Sequence, residues 1–440
     1  VEAEVLYQRG VLPRAHYLFK HALIQDTAYQ SLLKSKRQQL HRQIAQVLEE
    51  KFPETKEIHP ELLAHHYTEA GLIVQAIPYW QSAGQRAVQR SANVEAIAHL
   101  TKGLELLKAL PDTPERAQQE LMLQVALSIP LMLTRGWAAP EIGRVHSRAR
   151  ELCRQVGETP QLFPVLHGVW TFHFIRAELQ TAQELGGQLL TLAQSTQDSA
   201  LLLEAHRTLG ESLYVRGELV PAQQHFEQGI ALYDPHQHRS LAFLYGHDPG
   251  VSFLSFAALA LWCLGYPDQA LARSHEALAL ARGLFHPFSL AYCLGLSAWF
   301  HQYRREGHAT QEQAQATIAL SVEHEFPLLL ATGTILRGRA LAEQGRGEGG
   351  IAQIRQGLAA VRVTGAEVFR PYFLSLLAEA YKKAGQVEEG LTALAEALAA
   401  VDRTGERMYE AELYRLKGQL TLQKLSVTDP RPLTPDPQGE

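Results

Sequence analysis

An internal repeat constrains this chain more than any other feature. Three segments, "GESLYVRGELVPAQQHFEQGIAL" (210–232), "ALALWCLGYPDQALARSHEALAL" (258–280) and "AEAYKKAGQVEEGLTALAEALAA" (378–400), align without gaps. In each, a small residue is followed by a bulky one, a glycine, and then two more small residues at fixed spacings. Anchored on the glycine, the series runs Ala177, Gly217, Gly265, Arg305, Gly345, Gly385, in steps of 40, 48, 40, 40 and 40. Seven positions before each anchor stand Trp170, Gly210, Ala258, Ala298, Gly338 and Ala378, with tryptophan the one large residue. Five positions after stand Ala182, Ala222, Ala270, Thr310, Gly350 and Gly390. Small residues at both places allow two antiparallel helices to approach closely, and a glycine between them suits a turn with positive φ. Leu213, Leu261, Leu341 and Tyr381 then fill the space between successive hairpins. One such hairpin cannot bury its apolar face, but stacked neighbours can. The expectation is an all-α chain, a right-handed α-solenoid of helical hairpins.

The spacing resembles the tetratricopeptide repeat. The match is good for 203–234 and 371–402, fair for 251–282, and weaker for 163–194, 291–322 and 331–362. That repeat ordinarily has a period of about 34 residues. The step of 40 here requires longer helices or longer connections. In the register the resemblance implies, first-helix residues facing the inner groove are Phe174, Arg207, Tyr214, Trp262, Tyr292, Trp299, Tyr303, Arg339 and Tyr372. Aromatic residues and arginine are common anchors in protein recognition. A groove so lined would suit a protein or peptide ligand, or another domain of the same polypeptide.

The rest of the chain reads as helix too, since strand signals are sparse and apolar residues recur at three- and four-residue spacing. "HPELLAHHYTEAGLIVQAIPYWQSAG" (59–84) is a further hairpin turning at Gly71, and a helix follows from about Asn93 to Leu110. "PDTPERA" (111–117) precedes a long apolar helix ending near Leu133, and Pro140 lies early in the next. The tail 426–440, with four prolines, is expected to be disordered. Of 440 residues 46% are hydrophobic and 20% charged, and the formal net charge is −5 with no basic block. That balance offers no general nucleic-acid or membrane surface. Without a secretory signal or a spanning apolar run, the default location is the cytoplasm. Cys153, Cys263 and Cys293 sit far apart among apolar residues and read as buried thiols.

Chemistry is hard to find. "YDPHQHRSLAFLYGHDPG" (233–250) occupies the 48-residue step. His236, His238 and His247, with Asp234 or Asp248, contain the ligand types of a zinc site. Their spacing fits known ligand patterns poorly, and the stretch reads as a polar connection with eight extra residues, bounded by Pro235 and Pro249. His65 and His66 are adjacent; neighbours on a helix point about 100° apart, so they are expected to be unable to share one metal. "EQGRGEGG" (343–350) follows a helix rather than a strand and reads as a hairpin turn, not a phosphate loop. "KSKRQQLHR" (34–42) opens an amphipathic helix whose apolar face is Leu40, Ile44, Val47 and Leu48. No catalytic, cofactor or metal residue is assigned.

Two stretches go beyond a generic repeat. "YLFKHALIQDTAYQSLLKSKRQQLHRQIAQVLEEKFPE" (17–54) resembles the segment closing the ATPase module of large bacterial signalling proteins. "PELLAHHYTEAGLIVQAIPYWQSAGQRAVQRSANVEAIAHLTKGLELL" (60–107) resembles the start of their repeat array. These are class III adenylate/guanylate cyclases fused to a STAND-type, AAA-related ATPase and a C-terminal tetratricopeptide array; others carry a different effector. The resemblance covers about 17–425 and implies four regions. Residues 1–54 would end an ATPase-associated, winged-helix-like module, 55–158 would be N-terminal hairpins, 159–425 the main array, and 426–440 the tail. The cyclase aspartates and Walker motifs of such proteins lie outside this chain, so the resemblance implies a non-catalytic scaffold or sensor. The same array on a STAND-type transcription regulator, and a metal- or ligand-binding helical enzyme, are the alternatives.

Overall fold

The computed structural model describes residues 6–9, 16–157 and 159–428. Two antiparallel strands open it, β1 (Leu6–Arg9) and β2 (His16–Phe19), with Leu6 opposite Phe19. The chain is almost all helix, as expected, though this short strand pair was not singled out in the sequence. Helices follow: α1 (Ala22–Ser31), α2 (Lys34–Lys51), α3 (Glu54–Ile58), α4 (Pro60–Glu69), α5 (Ile73–Gln89), α6 (Asn93–Leu107), α7 (Pro114–Arg135) and α8 (Pro140–Val156). The repeats then run α9 (Leu162–Ile175), α10 (Leu179–Thr196), α11 (Ser199–Val215) and α12 (Leu219–Leu232). After α13 (Pro235–His238) and α14 (Leu241–Tyr245) come α15 (Pro249–Cys263), α16 (Pro267–Gly283), α17 (Pro287–Tyr303) and α18 (Gly307–Glu323). The last are α19 (Pro327–Glu343), α20 (Gly347–Val363), α21 (Arg370–Lys383), α22 (Val387–Thr404) and α23 (Glu410–Thr428). The chain divides into two compact units, one of residues up to 86 with 98–111, the other of 87–97 with 112 onward. The tail expected to be disordered is helical through Thr428, and its remainder lies outside the described residues.

The forty-residue step is explained by helix length. From α17 through α20 each helix has 17 residues. Three-residue turns separate them, so two helices and their two turns fill the forty-residue step. Every predicted anchor has positive φ: Ala177 (56°), Gly217 (81°), Gly265 (89°), Arg305 (59°), Gly345 (88°) and Gly385 (76°). The turns share one hydrogen-bond pattern. In the Arg305 turn, the amide of Glu306 donates to the His301 carbonyl at 3.0 Å and that of Arg305 to Gln302 at 3.0 Å. This pairing satisfies carbonyls that a helix end otherwise leaves open. A second left-handed series, between hairpins, includes Gln197, Phe285, Glu325, Gly365 and Gly405.

Small residues bring the paired helices into backbone contact. A Cβ added at Gly350 would lie 2.5 Å from the Gly338 carbonyl oxygen and 2.7 Å from the Ala342 amide nitrogen. Ala182, Ala222, Ala270, Ala258, Ala298 and Ala378 are likewise buried at the equivalent places. Trp170, the large exception, is buried and donates to the Ser212 hydroxyl at 3.2 Å.

Three expectations need correction. The 233–250 stretch is not a simple polar connection: α13 and α14 interrupt it, and His238, Ala242, Tyr245, His247 and Asp248 are buried. Asp234 and Asp248 stay extended before their prolines, and their carboxylates cap the amides of His236 (2.8 Å) and Val251 (3.0 Å). Cys263 is exposed, being the last residue of α15, whereas Cys153 and Cys293 are buried. On α2 the buried residues are His41 and Ala45, while Ile44 and Val47 are exposed. The helix is rotated from its expected apolar face because Glu49 accepts hydrogen bonds from Tyr67 and Tyr79, and His41 meets His66.

Replacing Gly350 by valine forces α19 and α20 apart at the backbone. Urea unfolding is expected to show a loss of about 1–3 kcal/mol. Gly187→Ala, on the exposed face of α10 where an added Cβ meets nothing within 4 Å, is the control. It should instead gain up to about 1 kcal/mol.

Candidate functional site

Within the larger unit, the first helices of successive hairpins point inward, and later repeats return to earlier ones. The Ile175 carbonyl, the last of α9, accepts from the amides of Glu367 (2.9 Å) and Val368 (3.0 Å). The Val215 carbonyl, the last of α11, accepts from Arg407 and Met408, both at 3.1 Å. The same contact is thus made twice, one repeat apart. It is possible because α21 begins three residues late relative to its register in α17 and α19, leaving a longer loop before it.

This closure turns most of the expected groove into an aromatic interior. A cavity of about 110 Å³ remains, walled by Trp137, Trp170, Phe174, Phe288, Trp299 and Phe369 among others. Arg207, Glu211, His247, Tyr292 and Thr332 also reach it. Of the expected groove residues, Phe174, Arg207, Tyr292 and Trp299 meet at this cavity. The others lie beside it or elsewhere. Tyr372 stacks on Trp299 with ring centroids 4.1 Å apart and donates to Gln302 Oε1 at 2.8 Å. Tyr303 stacks on Tyr409 (5.9 Å) and its hydroxyl is 3.5 Å from that of Tyr214. Trp262 is half-buried, edge-on to Phe300 (6.0 Å), under the guanidinium of Arg304. Arg339 pairs with Glu379 (2.9 Å) and Glu343 (3.4 Å).

A buried charge cluster adjoins the cavity. Arg207 Nε donates to Glu204 Oε2 (2.8 Å), Nη1 to Glu211 Oε1 (3.0 Å), and Nη2 to His167 Nε2 (2.5 Å). Ser252 adds a hydrogen bond to Glu211 at 2.7 Å. All four charged or titratable groups are buried. Since His167 accepts at Nε2, its proton sits on Nδ1. Burial pushes the carboxyl of Glu211 up despite Arg207. At Glu204 burial acts the same way and is the largest single effect, but the charges and hydrogen bonds of Arg207 and His167 together outweigh it and hold that carboxyl low. Of the two carboxyls, Glu211 is thus the more readily protonated.

The 48-residue step supplies what sequence reasoning missed. Tyr245, at the end of α14, packs 4.5 Å from the His167 ring. His247 packs between Trp137 (5.8 Å), Phe288 (6.4 Å) and Tyr292 (4.7 Å). Neither ring nitrogen of His247 has a hydrogen-bond partner, nor has Trp299 Nε1. Among the described residues His236, His238 and His247 do not converge. Among the described residues, the only close group of three metal-ligating side chains is elsewhere. The signal for His247 was present in the length of the insertion, but nothing in its composition showed which residue would turn inward. Glu406, at the second closing loop, is 1% exposed and accepts from the Phe369 amide at 3.0 Å. Its other oxygen is unpartnered, and burial raises its pKa to about 8.

Arg207→Leu strands two buried carboxyls, so denaturant unfolding should report a loss of about 3–5 kcal/mol. Glu406 gives a pH test. A carboxyl whose folded pKa is raised holds its proton more tightly folded than unfolded. Its contribution is whole below the unfolded value of about 4.3 and is lost as pH climbs through about 8. Between these limits wild type should lose stability relative to Glu406→Gln, by up to about 1.4 kcal/mol per pH unit. Stability curves that stay parallel would mean that Glu406 is already ionised in the folded chain.

No protein-family model matches the chain. An uncharacterized protein of Rhizobium meliloti is 26% identical over 427 residues, covering 95% of this chain. The chain spans 41% of that relative's length. A Rap protein solved in complex with competence and sporulation factor superposes with TM-score 0.53 at 11% identity, over 79% of this chain and 99% of that one. The Rap conjugation gene regulator of plasmid pLS20, solved in complex with a Phr peptide, gives 0.52 at 14%, over 76% and 98%. A STAND protein with a tetratricopeptide repeat sensor from Pyrococcus horikoshii gives 0.46 at 11%, over 92% of this chain and 58% of that one. The chain shares with the two Rap proteins the fold of a tetratricopeptide-like helical solenoid.

Proposed function

We propose that this chain is a non-catalytic scaffold and sensor whose interior takes an anchor residue of a peptide or protein segment, supplied by a ligand or by another domain of the same polypeptide. One observation carries the reading: an aromatic cavity lined by His247 and Trp299, whose buried ring nitrogens have no hydrogen-bond partner. Buried polar atoms are rarely left so, and each lost hydrogen bond costs about 1–3 kcal/mol. An occupant with an apolar ring suits the aromatic walls, and a polar end would offer such a nitrogen a partner. A volume of about 110 Å³ suits a single side chain. An engineered apolar cavity of about 150 Å³ admits benzene. The occupant is therefore a segment that inserts one anchor and lies along the opening. Two proteins of the same fold were solved with a bound factor or peptide.

We further propose that occupancy biases an ATPase and adenylate/guanylate cyclase elsewhere in the polypeptide. The resemblance of 17–54 and 60–107 to such proteins supports this, as does a curated relative more than twice as long as the chain. A ligand shifts such a module only by binding its two states with different affinity. A DNA-binding effector in place of the cyclase is the second reading, and the coding sequence upstream of Val1 separates the two.

Three of the five tryptophans, Trp137, Trp170 and Trp299, wall the cavity, so intrinsic fluorescence reports occupancy. Peptides selected from a random display library against the full chain should carry an aromatic or long apolar anchor and shift tryptophan emission. Thr332→Trp, which fills the cavity from α19, should weaken them at least tenfold. Undiminished binding to that variant removes the interior as the site.

A further inference from the structure

We propose that His41, His65 and His66 bind a late first-row divalent cation, zinc being the representative, through one ring nitrogen each. The site lies wholly in the smaller unit and is independent of the cavity. Adjacent residues on α4 were expected to diverge too far to share a metal. The crossing of α2 changes that. His41 projects from α2 between the two, and the ring centroids form a near-equilateral triangle: 5.7 Å from His41 to His65, 5.0 Å from His41 to His66 and 5.4 Å from His65 to His66. One nitrogen from each ring lies within 4.8 Å of the other two. Tetrahedral zinc with Zn–N near 2.0–2.1 Å needs nitrogens about 3.3 Å apart, a contraction that side-chain rotation supplies.

The hydrogen bonds around the triangle fix which lone pairs face inward. The Tyr29 hydroxyl donates its single proton to Glu69 Oε2 at 3.3 Å. It lies 2.9 Å from His41 Nε2, so that nitrogen carries a proton and donates to Tyr29. His41 Nδ1 is then a bare lone pair directed at His66 Nδ1, 2.8 Å away. In the free protein a proton fills this gap; a cation takes its place when the His66 proton moves to Nε2. The chain from His41 through Tyr29 to Glu69 is the outer-shell arrangement that orients metal-bound histidines and raises their basicity.

The protonation state also suits a metal. Burial first, then the neighbouring imidazoles, lowers the pKa of His66 to about 4, and burial lowers that of His41. Both rings are neutral at pH 7, as ligands must be. His65 is exposed, so the open side of the triangle faces solvent, and no carboxylate or thiol joins the group among the described residues. Three imidazoles with the fourth position left to water fit a zinc-type ion and not calcium or magnesium, which take oxygen ligands. Binding ties α2, in the segment resembling the end of an ATPase module, to α4, which opens the repeats.

Zinc titration of the full chain in competition with a chromophoric chelator tests the site, with Co²⁺ absorption reporting coordination geometry. Wild type should bind one tight equivalent, give the intense visible bands of tetrahedral cobalt, and melt at higher temperature with zinc. His65→Asn changes an exposed residue and leaves the fold intact; it should abolish the tight equivalent, the bands and the thermal shift. Tyr29→Phe should weaken binding by about 10–100-fold. His225→Asn breaks the separate His206–His225 contact, 2.9 Å between Nδ1 atoms, and should change nothing. Tight binding that survives His65→Asn, or that disappears with His225→Asn, overturns the assignment.

Discussion

Two carbonyl oxygens hold the larger unit in its closed form. Ile175 and Val215 each end a first helix, and each accepts two amide protons from a loop far along the chain. Carbonyls at a helix terminus have no partner within the helix, and here the array itself satisfies them. The contact repeats one hairpin apart because the underlying sequence repeats, so the two loops arrive in the same register. Phe369 and Tyr409 come with those loops, and this fills much of what would otherwise be an open inner groove.

The same closure decides what the interior can do. First helices such as α15 and α17 are buried on nearly every side, which an outer helix of a linear solenoid would not be. Charge is admitted only where it is compensated, as Arg207 is by Glu204 and Glu211. His247 and Trp299 nonetheless bring buried ring nitrogens without partners to the walls of the cavity.

Much of the hairpin architecture was legible in the sequence. All six anchors adopt left-handed φ, including Ala177 and Arg305, because the spacing of small residues marked the turn even where glycine was lacking. The second turn series was not legible: Gln197, Phe285 and Glu325 adopt the same conformation with no compositional sign of it. Nor was the closure, which depends on contacts between repeats that no local pattern encodes. The inner register was partly legible. Phe174, Arg207, Tyr292 and Trp299 share the cavity, whereas Tyr303 sits edge-on to Tyr372 and meets Tyr214 hydroxyl to hydroxyl. The convergence of His41 with His65 and His66 was hidden for a different reason. The angle between neighbours on one helix was right, but the third vertex came from another helix, and the α2 face was itself misjudged by the pull of Glu49.

Closure also bears on how the array comes apart. In an open solenoid each repeat touches only its neighbours, so stability is a sum of local terms and the ends fray first. Here the loops before α21 and α23 are bonded to the ends of α9 and α11. Opening a terminal hairpin therefore breaks contacts in the first half of the array as well. Residues 162–428 should behave as one cooperative block rather than a zipper, with amide protection nearly level from α9 to α22.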